Sequence, residues 1–219
     1  MGFDLDFALR IVPTILWALD MTLLVAVTTC LGAASIGFAL EILRRTGGIV
    51  GFLVQFFIDF IRATPILVWL YCLYFVLPFY GVRLSALTVG IAGLSFYYSG
   101  YLADVFKAGI DAIPKGQGEA ARALGVGSWD TVTRVIAPQM LRNIAAAMGN
   151  YFVSILKATP YLAVLAVPEM LGAAFDIASE TYRYAEPLAV AGITLLVLAL
   201  VISQAVKWLE SHLSISTTR

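Results

Sequence analysis

Five ionisable side chains interrupt stretches that are otherwise apolar: Asp59, Arg62, Asp104, Lys157 and Glu169. A charge held away from water is costly and needs an opposite charge, a helix end or a bound ligand beside it. A zwitterion asks for a carboxylate facing its ammonium and a cation facing its carboxylate. Asp104 is the candidate for the ammonium and Arg62 or Lys157 for the carboxylate, with Asn150, Ser99 and Ser154 able to add hydrogen bonds. Asp59 and Arg62 lie three apart on one helix face and can instead pair with each other. Asp59 and Glu169 are read as partners of other charges or of backbone ends. No nucleophile–base constellation, metal-ligand cluster or complete phosphate-binding G-x-x-x-x-G-K-[ST] loop is present, so neither catalysis nor ATP binding is expected of this chain. Cys30 and Cys72 sit in apolar runs as small hydrophobes, and His212 stands alone in a polar tail.

The surrounding elements are set by composition. The 219 residues are 61% hydrophobic with mean hydropathy +0.91, against about 45–50% apolar for soluble domains. An all-α integral membrane protein follows, because a helix satisfies its own backbone in lipid. Windows 21–40, 63–82, 84–103 and 187–206 carry no charge, and a fifth apolar stretch begins at Asn143 and meets Lys157. Each charge-free window is long enough to cross a bilayer. The expected architecture is one domain over 1–219 with five transmembrane helices near 11–43, 50–80, 84–110, 132–160 and 184–210, and a short or re-entrant piece at 161–176.

With five spans, Arg44, Arg45, Lys107, Lys115, Arg122, Arg134, Arg142, Lys207 and Arg219 fall on one side, against Arg10, Arg83 and Arg183 on the other. The positive-inside rule then puts the C-terminus in the cytoplasm and the N-terminus outside. Asp176, Glu180 and Glu186 make the last outer loop acidic, which suits either an outside partner or plain solvation. Formal net charge is zero, and basic patches interleaved with aromatics are missing, so nucleic acid is not an expected partner.

One polar stretch, 107–142, stands apart. Pro114 and Gly116 are expected to break the preceding helix. Residues 117–124 then read as a short Ala-rich helix, with Glu119 in its first turn and Arg122 in its last, stopped by Gly125 and Gly127. Such a helix is too short for a span or a core of its own. It is either a solvated loop or a docking element. The run Glu119-Ala120-Ala121, then Gly125, then Ile136-Ala137-Pro138 resembles the E-A-A-x-x-x-G…I-x-L-P loop of permease subunits of bacterial ABC importers. The segment from Tyr101 to Gln117, the motif Phe60-Ile61-Arg62-Ala63-Thr64-Pro65, and Leu156-Lys157-Ala158-Thr159 with Val167-Pro168-Glu169 resemble the polar amino acid uptake branch of that family. Asp104 stands where Glu is usual, and Ala137 where a larger apolar residue is usual.

The resemblance, over roughly 13–210, implies a type I importer permease fold whose 111–130 loop is a cytoplasmic coupling element. It implies ATPase contacts at Gly118, Glu119, Ala120, Ala121, Arg122 and Gly125. It also implies two ATPase subunits that carry ATP and Mg, a second permease subunit, an extracytoplasmic solute-binding protein and the lipid of a bacterial inner membrane. The carried solute is expected to be a polar amino acid or related zwitterion, moved by alternating access. An ion-coupled secondary transporter or a channel subunit is the alternative. Residues 61–67 recur as 156–162, Ile-Arg-Ala-Thr-Pro-Ile-Leu against Leu-Lys-Ala-Thr-Pro-Tyr-Leu, which fits a parallel repeat or coincidence.

Overall fold

The computed structural model describes residues 2–213, and Arg219, counted above among the cytoplasmic cations, lies outside them. The described residues form helices: α1 (Leu5–Trp17), α2 (Leu19–Arg45), α3 (Gly48–Ala63), α4 (Ile66–Tyr71), α5 (Ala86–Asp111), α6 (Lys115–Ala123), α7 (Ser128–Asp130), α8 (Ala137–Ala158), α9 (Met170–Thr181) and α10 (Ala185–Leu213). Three stretches are long and apolar enough to cross a membrane: α2, the run 128–181 containing α8, and α10; α3 with its continuation to Tyr80 makes a fourth if taken together. The central helix α5 is not among them, although it has 26 residues. Its tyrosines, serines and glycines lower its hydropathy, and most of it is wrapped by other helices rather than facing outward.

Those small residues are what let α5 sit in the middle. A Cβ on Gly37 of α2 would stand 2.8 Å from the Ser99 carbonyl oxygen and 3.0 Å from the Ala103 nitrogen. The two backbones therefore touch, as in membrane helix pairs built on small residues. Around this seam lie two apolar clusters. One joins Val25, Leu70, Val89, Leu94 and Leu162; the other joins Ala33, Leu102, Phe106, Ile113, Met140 and Ile144. By contrast only 17% of the most apolar window of α10 is buried, so its outer face needs an apolar surrounding.

The expected helix boundaries need correcting at three places. The span placed at 11–43 is two helices parted at Ala18. Asp4 caps α1 at the Phe7 N–H, Glu186 accepts from the Asp4 N–H, and Ile11 and Ile15 pack on Met170, Ala174 and Ala191, so α1 belongs with α9 and α10. The Phe7 N–H and the nearby Arg183 hold the Asp4 carboxyl below its ordinary pKa. The span placed at 50–80 bends by 102° between Ala63 and Ile66. Thr64 is extended at ψ 130° ahead of Pro65, because the proline ring disfavours helix in the residue before it and brings no N–H. The span placed at 132–160 opens as a wide helical turn, Thr131–Ile136, and ends at Ala158, where Thr159–Leu165 tightens to a 3-10 turn. The 161–176 piece is that turn plus the first half of α9. The echoed motifs thus both end an α-helix, at Ala63 and Ala158, but only the first turns sharply into another helix.

Replacing Gly37 with Leu forces α2 off α5 and should cost about 1–3 kcal/mol of stability. Gly192→Leu, in open space on α10, should be tolerated. Thermal denaturation of both variants in detergent checks this, and equal stability would show that the α2–α5 seam is not tight.

Candidate functional site

Two features are candidates for the functional site, and both lie at the end of the bundle where α2 and α5 finish. The first is α6. It starts at Lys115, two residues before its expected start, with Pro114 as its N-cap, so Gly116 lies inside the helix and Glu119 is past the first turn. Pro114 has a non-helical ψ of 129°, as an N-cap residue does. The helix stops by a Schellman arrangement: the Val126 N–H donates to the Ala121 carbonyl at 3.0 Å and the Gly125 N–H to the Arg122 carbonyl at 3.0 Å. Gly125 has φ +74°, a left-handed conformation that costs glycine little. Ala121 is buried, while Glu119, Ala120, Arg122 and Gly125 are exposed and Gly118 is half-buried. Arg122 turns back to its own helix, Nε donating to the Gly118 carbonyl at 3.2 Å. Beside α6, Leu124 and Trp129 are 82% and 77% exposed, large apolar groups in an otherwise polar segment.

The second feature is a cleft of about 330 Å³ between α3, α5 and α8, lined by Arg62, Tyr101, Asp104, Asn143, Ala147 and Tyr151 among others. Asp104 does not stand open there. Its Oδ1 takes Arg44 Nη1 at 2.9 Å and its Oδ2 takes Arg62. The Arg62 guanidinium lies 5.2 Å from the centre of the Tyr101 ring. Arg44 also donates to Gln55 Oε1 at 2.9 Å and the Ala103 carbonyl at 3.2 Å. Behind it Glu41, wholly buried, pairs with Arg44 through Oε2 at 2.5 Å and with Arg45 through Oε1 at 2.6 Å, the second a charge contact without hydrogen-bond alignment. Arg45 reaches Asp111 at 2.7 Å.

Of the expected path residues the structure brings Arg62 and Asp104 together. Lys157 and Asn150 are exposed on α8 and outside the cleft lining. Ser99 is buried and donates to the Phe96 carbonyl at 2.7 Å, and Ser154 donates to the Asn150 carbonyl at 3.1 Å. The expected Asp59–Arg62 pair does not form. Asp59 accepts instead from Gln55 Nε2 at 3.0 and 3.1 Å, because Arg62 is drawn to the carboxylate on α5. Glu169 caps α9 by accepting from the Gly172 N–H at 2.7 Å. Among the described residues no group of three or more His, Cys, Asp or Glu converges as a metal site requires. Sequence reading missed Glu41, Arg44, Gln55 and Asp111 as one network. The E-x-x-R-R spacing at 41, 44 and 45 was the available sign, since it places both arginines on the glutamate's own helix face.

The family of this apolar helical bundle is shown by its relatives. Residues 32–215 match the family described as "Binding-protein-dependent transport system inner membrane component". This chain belongs to that family. A probable amino-acid ABC transporter permease of Sinorhizobium fredii is 38% identical to the permease over 212 residues, 96% of this chain and 91% of that one. The arginine transport system permease of Bacillus subtilis is 30% identical over 96% of this chain and 98% of its own. Among solved structures, a chain of an amino acid ABC transporter crystallised with histidines superposes with TM-score 0.87 at 30% identity, over 97% of this chain and all of that one. The fold also recurs, with TM-score 0.71 at 18% identity, in an inward-facing methionine ABC transporter, over 90% of this chain and 94% of that one. The permease is thus an all-helical membrane component of a binding-protein-dependent ABC importer. The relatives do not favour the ion-coupled transporter or channel alternative.

Asp104→Asn leaves Arg44 and Arg62 facing each other without their shared carboxylate. Asp104 is 38% exposed, so the loss is discounted from the fully buried case to about 1–2 kcal/mol. Asp104→Glu keeps the charge. Melting of the purified permease should fall by about 2–8 °C for the Asn variant and stay near the parent for Glu; identical melting of all three would contradict the shared-carboxylate role.

Proposed function

We propose that the permease carries polar amino acids or related zwitterions inward across a bacterial inner membrane, and that α6 is its docking element for separate ATPase subunits. The single observation supporting this is α6 itself, a nine-residue helix projecting from an apolar bundle with Leu124 and Trp129 bare beside it. Exposed apolar groups flanked by polar residues mark surfaces that another protein covers. The solute class rests on the relatives, named for amino acids, arginine and glutamine.

The proposed assembly has two cytoplasmic ATPases that bind ATP and Mg, a second permease, identical or paralogous, and a solute-binding protein on the opposite face. The cation count supports an orientation with α6 and the C-terminal end of α10 in the cytoplasm and α1 outside. Glu119, Ala120, Arg122 and Gly125 present the contact face, with Gly118 and Ala121 supporting it. When the ATPases close on ATP, α6 moves with them, and the bundle switches between inward-open and outward-open packings. A two-state bundle biased at one end needs no chemistry of its own. The Arg62–Asp104 cleft is the proposed contact for the zwitterion. In this conformation Asp104 is occupied by two arginines, so the ammonium of a solute must displace one of them to reach it. Lys157, Asn150, Ser99 and Ser154 lie outside the cleft lining and are contacts only in another conformation.

Glu119→Lys reverses charge on the contact face, and Gly125→Trp both fills it and strains a φ +74° position. Each should abolish uptake and substrate-stimulated ATP hydrolysis by the complex while leaving membrane insertion intact. Normal coupled uptake by both would remove the docking role.

A further inference from the structure

The charged network behind the cleft extends unbroken from the base of α6 to Arg62. Asp111 is the last residue of α5, and only residues 112–114 separate it from α6. Ile113, within that link, is buried in the cluster of Ala33, Leu102 and Phe106. Arg45 grips Asp111 and, through Nη2, the Lys107 carbonyl at 3.3 Å. Glu41 holds Arg45 with one carboxylate oxygen and Arg44 with the other. Arg44 then binds Gln55 on α3 and Ala103 and Asp104 on α5, and Asp104 binds Arg62 on the last turn of α3. Three carboxylates, Glu41, Asp104 and Asp111, match three arginines, so the network is internally neutral.

Stability alone explains this arrangement poorly. The Arg45–Asp111 pair is 37% and 51% exposed, and isolated pairs of that kind contribute little. What distinguishes it is that an oxygen of a buried carboxylate lies 2.6 Å from Arg45 Nε, a charge contact without hydrogen-bond alignment. The side chain that meets the root of α6 therefore shares a buried carboxylate with the one that meets the cleft. We propose that Glu41, Arg44 and Arg45 are positioning residues that transmit displacement of α6 to α3 and the Arg62–Asp104 cleft. The proposal rests on the reading of α6 as the ATPase-docking helix. Displacing α6 pulls Asp111, Asp111 pulls Arg45, and the rigid Glu41 hub passes the shift to Arg44, whose hold on Gln55 and Asp104 sets the opening between α3 and α5. Spatial continuity makes such coupling feasible, and perturbing it measures it.

The test uses the complex with its ATPase and binding-protein partners, reconstituted in liposomes, with Cys30 and Cys72 replaced and Ala147→Cys reporting from the cleft wall. The rate at which a water-soluble maleimide modifies that cysteine is compared with and without ATP. ATP should change it by about tenfold in the parent. In Asp111→Ala the ATP-dependent change should fall below about twofold while ATP hydrolysis stays within about threefold of the parent, and Asp111→Glu should restore the change. Glu41→Gln should act in the same direction if it assembles. Parent-like ATP dependence in Asp111→Ala overturns the proposal. So does a loss of ATPase activity and assembly in proportion, which marks a structural role only. Gly125→Trp is run alongside. If it abolishes the ATP response and Asp111→Ala does not, the transmission fails and the docking reading stands. If Gly125→Trp also leaves the ATP response intact, the docking reading itself fails.

Discussion

Glu41 is a carboxylate with no exposure at all in a chain built mostly of hydrocarbon. A charge so placed must find cations within bonding distance, and Glu41 finds two on the next turn of its own helix. That local match then has long-range consequences. Two arginines held at the end of α2 have donors to spare, and those donors meet α3 and α5. The close α2–α5 seam at Gly37 brings the helices near enough for these bonds to form. One end of the bundle is thereby tied as a unit, and α6 is rooted in it.

Elsewhere in the fold two helices are interrupted at related motifs. Proline ends α3 with an extended Thr64, and the chain turns by 102° before continuing. The same tetrapeptide pattern, Lys-Ala-Thr-Pro in place of Arg-Ala-Thr-Pro, ends α8. Helices interrupted in this way leave backbone groups unpaired inside a membrane protein, which is tolerated where they face other protein or a cavity. Arg62 lies in the last turn of α3, two residues before the extended Thr64, and bonds to Asp104 on α5. The helix that breaks at Thr64 is thus also one that the charged network holds, through Gln55 and Arg62.

Much of this was written legibly in the chain. The windows 84–103 and 187–206 correspond to α5 and α10 because neither carries a charge that would end a buried helix. The short polar helix was visible from Pro114, the Ala-rich run and Gly125. Its start was misplaced because Gly116 reads as a breaker when propensity is considered alone, whereas an exposed helix can carry one glycine for about 1 kcal/mol. The separation of α1 from α2 was hidden because no proline or glycine marks Ala18; packing on α9 and α10 decides it. The pairing of Arg62 with Asp104 rather than Asp59 depends on which helix crosses α3, and spacing along one helix cannot reveal that. Glu41 was overlooked for a related reason: next to two arginines it looks like ordinary solvated charge at a helix end, and only its burial makes it a hub.

The central claim is that α6 faces the cytoplasm and is gripped there by a separate ATPase. Cysteine cross-linking tests it most directly. With the native cysteines replaced, Ala120→Cys is paired with cysteines placed across the surface of the partner ATPase in inside-out membrane vesicles. A short bifunctional reagent should join the two chains, more or less efficiently as nucleotide is added. No adduct at any ATPase position, together with labelling of Ala120→Cys by an impermeant reagent only from the periplasmic face, would contradict the account.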